Sequence, residues 1–154
     1  MFYVNSQEKV ETVLDPEAKD ALQTYNWETD NRKLPVVLYA TYKVFLPAAM
    51  NLSKQTTNFT GTADIGVEIT SNNEDFYVSV VPQNSSLTGS LSHENITLLA
   101  TMSRQKFKIT DASMTADEDV FTDTETLQVA TDGLPTKADA YTGSLTFTIT
   151  SGTE

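Results

Sequence analysis

Nucleophilic catalysis needs a hydroxyl or thiol, a base and an orienting acid that converge in space. Here the base could only be His93, the single histidine, set in the polar stretch Ser90-Leu91-Ser92-His93-Glu94-Asn95. A whole constellation would rest on this one loop residue, so His93 reads as a solvated side chain and no catalytic residue is assigned. Hard-oxygen chemistry is the second candidate. Eight carboxylates lie between Asp111 and Asp139 against one base, Lys137. Asp117-Glu118-Asp119 and Asp123-Thr124-Glu125 carry the oxygens calcium prefers, but no Asp-x-Asp-x-Asp-Gly spacing occurs. The expectation is a solvated acidic loop with no metal, and no cofactor. Arg104, Lys106 and Lys108 alternate along the preceding strand with the opposite sign. Their expected partners are that acidic loop, in the same subunit or in the next copy.

Composition removes several function classes. Twenty-one acids against ten bases leave a net charge of −11, which repels phosphate backbones and anionic headgroups. Nucleic acid is therefore not an expected partner. No apolar run approaches the roughly 20 residues of a spanning helix, so membrane insertion is not expected either. The absence of cysteine removes disulfides, thiolate metal sites and thiol catalysis. The start Met1-Phe2-Tyr3-Val4-Asn5-Ser6 lacks the basic and apolar blocks of a signal peptide. That pattern fits a chain made without export, or one whose signal has been removed. Four Asn-x-Ser/Thr sequons occur, at Asn51, Asn58, Asn84 and Asn95. They are only a slight excess in a chain this rich in serine and threonine. Tyr25, Trp27 and Tyr39 could stack on a sugar, although packing in a core is the commoner fate of large aromatics.

The elements that must position these groups are strands. Tyr141 to Thr150 puts Leu145, Phe147 and Ile149 on one side and Thr146, Thr148 and Thr150 on the other, the period of a half-buried strand. Burial of that apolar row predicts a cost of about 3 to 5 kcal/mol for Phe147→Ala. Val36 to Leu46 repeats the pattern through Leu38, Ala40, Tyr42, Val44 and Leu46 and stops at Pro47. Thr62 to Thr70 and Phe76 to Val81, joined by Ser71-Asn72-Asn73-Glu74-Asp75, read as a hairpin. Ile96 to Met102, Lys106 to Thr110 and a short Leu127 to Val129 complete an all-β set of about seven strands. That pattern predicts an antiparallel sandwich, and the missing crossover helices exclude a parallel α/β fold.

Residues 1 to 35 differ from the sandwich of 36 to 154. Phe2-Tyr3-Val4 and Val10-Glu11-Thr12-Val13-Leu14 are short β-prone runs. Asp15-Pro16 then caps a helix of about two turns, which makes 1 to 35 an N-terminal arm containing a short helix. Phe2, Val4, Val10 and Leu14 are the expected subunit contacts, since an extended arm can complete the open edge of a neighbour's sheet. The competing expectation is that the arm folds back as an edge strand of its own domain.

Three runs carry a family resemblance: Tyr42-Lys43-Val44-Phe45-Leu46-Pro47-Ala48-Ala49-Met50-Asn51-Leu52, Val78-Ser79-Val80-Val81-Pro82 with Val67, and Ala140-Tyr141-Thr142-Gly143-Ser144-Leu145-Thr146-Phe147. Over roughly residues 36 to 150 the chain resembles the Ig-like β-sandwich proteins of Gram-positive bacterial surfaces and their phages. The resemblance implies an Ig-like sandwich acting as a structural or adhesive module, with no catalytic residues to carry over. On that footing the expected function is a non-enzymatic subunit of an extracellular assembly, on a bacterial surface or in a phage virion. Its expected partners are copies of itself or other subunits, with a host-surface glycan as a further one. The alternative is a carbohydrate-binding module, which an open aromatic groove beside Asp111 to Glu125 would favour.

Overall fold

Alternating β-branched and threonine residues dominate this chain, and each such run becomes a strand with its apolar side turned inward. The computed structural model describes residues 2–6, as strand backbone, and 37–154. In chain order the strands are β1 (Phe2–Ser6), β2 (Ala40–Leu46), β3 (Ser53–Lys54), β4 (Phe59–Ser71), β5 (Phe76–Gln83) and β6 (Ser85–Gly89). They continue as β7 (Asn95–Met102), β8 (Lys106–Lys108), β9 (Thr115–Asp117), β10 (Val120–Thr131), β11 (Tyr141–Gly143) and β12 (Thr146–Thr153). No helix occurs among the described residues. The helix expected after Asp15, and Val10, Leu14, Tyr25 and Trp27, lie outside them.

All pairings are antiparallel and form two sheets of unequal size. The larger has nine strands, in the order β1-β2-β4-β10-β7-β6-β11 with β3 beside β4 and β9 beside β10. The smaller has three, β12-β5-β8. Their facing sides make one core that includes Val44, Ile65, Ile69, Leu98 and Leu127 from the large sheet and Phe76, Val78, Val80 and Phe107 from the small one. The alternation expected in β2 is present, with Ala40, Tyr42, Val44 and Leu46 buried. β1 pairs with β2 of its own chain, Phe2 opposite Leu46 and Val4 opposite Val44. The fold-back expectation therefore describes residues 2–6.

Three expectations need correction. The runs around 62 to 70 and 76 to 81 are not a hairpin: β4 pairs with β2 and β10, whereas β5 pairs with β12 and β8. The connecting turn is a corner between the two sheets, held by buried polar groups. Ser71 Oγ donates to the Tyr39 carbonyl at 2.9 Å and accepts from the Asn73 amide at 2.8 Å. Asn73 Oδ1 in turn accepts from the Asp75 amide at 3.0 Å. Period two records which side of a run is buried, and both runs keep it whether the chain folds back in plane or crosses the core.

Tyr141 to Thr150 is likewise two strands. β11 pairs with β6 at the edge of the large sheet, and β12 crosses to the small one. The Ser144 carbonyl at the crossing accepts from Ser85 Oγ at 2.8 Å. Gly143 permits the close approach before it, since a Cβ there would overlap the Ser86 carbonyl. Third, the Leu127 to Val129 strand is the end of a much longer one, β10, which takes in Asp123-Thr124-Glu125 of the expected acidic loop.

Thr146, Thr148 and Thr150 of β12 face outward as expected, but Leu145, Phe147 and Ile149 are half-buried, packed against the core without being closed inside it. The cost of Phe147→Ala is revised accordingly to about 1–2 kcal/mol, against about 3–5 kcal/mol for Phe76→Ala, whose side chain is fully buried. Urea unfolding of the two variants checks this, and equal losses would show Phe147 to be as enclosed as Phe76.

Candidate functional site

Three polar or open features stand out from the apolar interior. The first is an ion cluster. In β10 the inward positions run Phe121, Asp123, Glu125, Leu127 and Val129, with Thr122, Thr124 and Thr126 outward. Two carboxylates therefore occupy core-side positions. Arg104, in the loop between β7 and β8, supplies the counter-charge. Its Nη2 pairs with Asp123 Oδ2, its Nε reaches Glu125 Oε2 at 3.5 Å and its Nη1 reaches Asp111 Oδ2 at 3.1 Å. The same Nη1 donates to Ser113 Oγ. The guanidinium lies 4.8 Å from the centre of the Phe107 ring, so one face is also capped by a π-system.

Burial opposes the charged form of Arg104, but the hydrogen bonds and charges of Asp123 and Asp111 outweigh it and hold its pKa above the ordinary value. Asp111 is held low, first by the amide and hydroxyl of Ser113 and then by Arg104. Lys106 and Lys108 do not share these acids. Both pair with Glu154, and Lys106 also sits over the Tyr77 ring. Of the three expected basic partners of the acidic segment, only Arg104 is one in this chain.

The second feature is a pair of carboxylates that fasten residues 136–141 to the turn between β6 and β7. Asp139 Oδ2 accepts from the Leu91 and Ser92 amides at 2.9 and 2.7 Å, and Oδ1 accepts from Ser90 Oγ at 3.0 Å and the Ala140 amide at 2.8 Å. These bonds, the Ser92 amide foremost, drive its pKa far below the carboxylate range. Glu94 accepts from the Thr136 amide and hydroxyl at 2.8 and 3.0 Å, the Lys137 amide at 3.1 Å and the Tyr141 hydroxyl at 2.7 Å. Its pKa is lowered as well, the Thr136 amide leading. His93 lies between these acids in a left-handed turn, φ 59°, where its amide donates to the Gly89 carbonyl at 3.0 Å. It belongs to the turn.

The third feature is an apolar groove of about 760 Å³ between the sheets, lined by Leu46 to Leu52, by Leu87, Ile96 and Leu98 of the large sheet, and by Leu145 with Phe147 and Ile149 of β12. Three of its polar lining groups are committed elsewhere. Asp139 is spent as described, the Tyr141 hydroxyl donates to Glu94 and approaches the Lys137 carbonyl at 2.9 Å, and Thr131 Oγ1 bridges the Phe59 amide and the Gly133 carbonyl.

The expected subunit contacts are only partly placed. Phe2 and Val4 stand in β1 against their own β2, and Val10 and Leu14 lie outside the described residues. Asp117 ends β9, and Glu118 and Asp119 form a left-handed turn at φ 50° and 66°. Among the described residues no three His, Asp or Glu side chains are arranged to hold a metal ion, and no helix is long and apolar enough to cross a membrane. Sequence reasoning missed Glu94 and Asp139, whose partners are mostly backbone amides that carry no residue-type signal. Asp123 and Glu125 did carry one, the strict alternation with Thr122, Thr124 and Thr126. No model of a known protein family matches the chain, and no curated protein matches it either.

Two outcomes follow from these clusters. Arg104→Met strands Asp123 and Glu125, whose side chains are only 11% and 18% exposed. It should cost about 2–4 kcal/mol, below the figure for a fully buried pair because the cluster touches water. Adding Asp123→Asn and Glu125→Gln should recover at least half of that in urea unfolding, and a loss under about 0.5 kcal/mol for Arg104→Met alone would remove the cluster from the stability account.

The second outcome concerns pH. Asp139, Glu94, Asp111 and Glu154 all have folded pKa values below their ordinary 3.8 or 4.5. The unfolded chain thus binds protons first as pH falls, so stability is complete above about pH 5 and declines continuously through pH 4 and below. Urea midpoints against pH should trace that decline, with a shallower slope for Asp139→Asn.

Proposed function

We propose that the chain is an Ig-like β-sandwich serving as a non-enzymatic structural or adhesive subunit of an extracellular assembly, on a bacterial surface or in a phage virion. One observation carries the reading: among the described residues every carboxylate with a displaced acidity is consumed in fastening a loop or strand to its neighbour. An active site needs a perturbed group left poised toward a cleft. Here Asp139 borders the groove yet turns its oxygens to backbone amides and a hydroxyl, and Glu94 is spent in the same way on Thr136, Lys137 and Tyr141. The short runs ending at Pro47, at Pro82 and in Tyr141-Thr142-Gly143 add the likeness to Gram-positive surface and phage sandwiches. Copies of the chain or other subunits are the partners this reading requires.

The carbohydrate-binding alternative is less well supported. A sugar is held by stacking together with free polar groups that replace its water. The groove draws on no residue of 111–125, and its Tyr141 hydroxyl and Asp139 carboxylate are already satisfied. An antibody raised against the purified chain should label intact surface structures or particles of its source in negative-stain electron microscopy. Label confined to the cytosol of lysed cells would overturn the assembly reading. Binding on a glycan array in the absence of such label would favour the alternative.

A further inference from the structure

A lone leucine on a surface is ordinary, but one that its own turn holds out in water is not. Leu91 is 85% exposed, more than any other large hydrophobic side chain among the described residues. Its turn, between β6 and β7, is fastened repeatedly. The Gly89 amide donates to the Glu94 carbonyl at 2.9 Å, the His93 amide to the Gly89 carbonyl at 3.0 Å, and the Ser90 amide to the Ala140 carbonyl at 2.9 Å. Asp139 accepts from the amides of Leu91 itself and of Ser92. A backbone fixed at so many points keeps Leu91 turned outward, and an apolar group already held in place loses little further freedom on binding.

The apolar groove begins beside that turn. Asp139, whose carboxylate holds the Leu91 amide, also lines the groove, and so does Tyr141, which stands opposite Gly89 in the pairing of β11 with β6. Asp139 is the single charged residue among the described lining residues, and its oxygens are already taken. The turn tip Ser90-Leu91-Ser92 is uncharged as well. On a chain of net charge −11, two neutral surfaces are where copies can approach without opposed carboxylates. A leucine also brings no hydrogen-bonding demand to a groove whose Asp139, Tyr141 and Thr131 are already partnered. Resting on the assembly reading above, we propose that two copies of the chain pair reciprocally, Leu91 of each entering the apolar groove of the other. Because leucine and groove adjoin, one two-fold encounter makes both contacts, and the assembly closes after two copies.

Leu91 is exposed, so replacing it leaves the fold intact. In the full chain Leu91→Ser should weaken self-association about tenfold or more by sedimentation, the loss expected when a leucine is withheld from an apolar site. Leu99→Ser, a control at an outward position of β7, should leave it unchanged. The chain has no cysteine, so the contact can be trapped. A mixture of Leu91→Cys and Met50→Cys chains should oxidise to a mixed covalent dimer about tenfold faster than Leu91→Cys with Thr124→Cys, because the pairing raises the local thiol concentration. Met50 lines the groove and Thr124 is exposed on the outer face of the large sheet. Equal effects of Leu91→Ser and Leu99→Ser, or equal rates for the two mixtures, overturn the pairing. So does a Met50→Cys thiol that a soluble maleimide cannot reach at dilutions where the chain is monomeric, since the chain itself then fills the groove. A parent chain that is monomeric at every concentration yet still labels surface structures or particles overturns the pairing alone and leaves the assembly reading standing. A chain that pairs through Leu91 but labels only the cytosol of lysed cells does the reverse.

Discussion

A sheet face lined with valine, isoleucine and leucine must be covered, and here a nine-stranded sheet is covered by one of three strands. Most of the other structural features answer that mismatch. Where the small sheet lies directly over the large one the interior is closed, and Ile65, Ile69, Val80 and Phe107 are fully buried. Where the small sheet runs out, something else must finish the core. Apolar burial contributes about 25 cal/mol per Å², so each uncovered strand end forfeits stability unless loops or ions close it.

One such end is closed with charge. Asp123 and Glu125 occupy inward positions of β10, and Arg104 folds over them from the β7–β8 loop with Phe107 beneath. Hydrophobic residues there could match its stability, since isolated ion pairs seldom repay their desolvation. What the cluster adds is position. Three carboxylates around one planar guanidinium tie the β7–β8 loop and Asp111 to β10 at defined angles. Asp139 and Glu94 do the same for residues 136–141, through backbone amides that cannot slide.

Among the described residues the other end is left open. Leu46 to Leu52 border it from one side and Phe147 and Ile149 from another, leaving an apolar groove beside an uncharged strand. The proposed role as a building unit rests on this asymmetry, with described acids spent on internal fastenings and an apolar groove beside them.

Residue type and period two determined most of the local structure on their own. The inward rows of β2, β4, β5 and β7 were legible because a half-buried strand selects apolar and polar residues alternately, and that selection acts residue by residue. The outward threonines of β12 were legible for the same reason. Tertiary structure decided what alternation cannot encode, namely which strand lies beside which. β4 and β5 turn a corner at Ser71 and Asn73 in place of a hairpin, and the run from Tyr141 divides at Ser144 between two sheets, yet neither change alters which side chains point inward. The depth of burial was also settled only by assembly of the whole, so Phe147 and Phe76 look alike in sequence but differ in enclosure. The charged sites follow the same division. Asp123 and Glu125 are inward by period, but that Arg104 would reach them, and that Lys106 and Lys108 would turn to Glu154 instead, depended on contacts between segments distant in the chain.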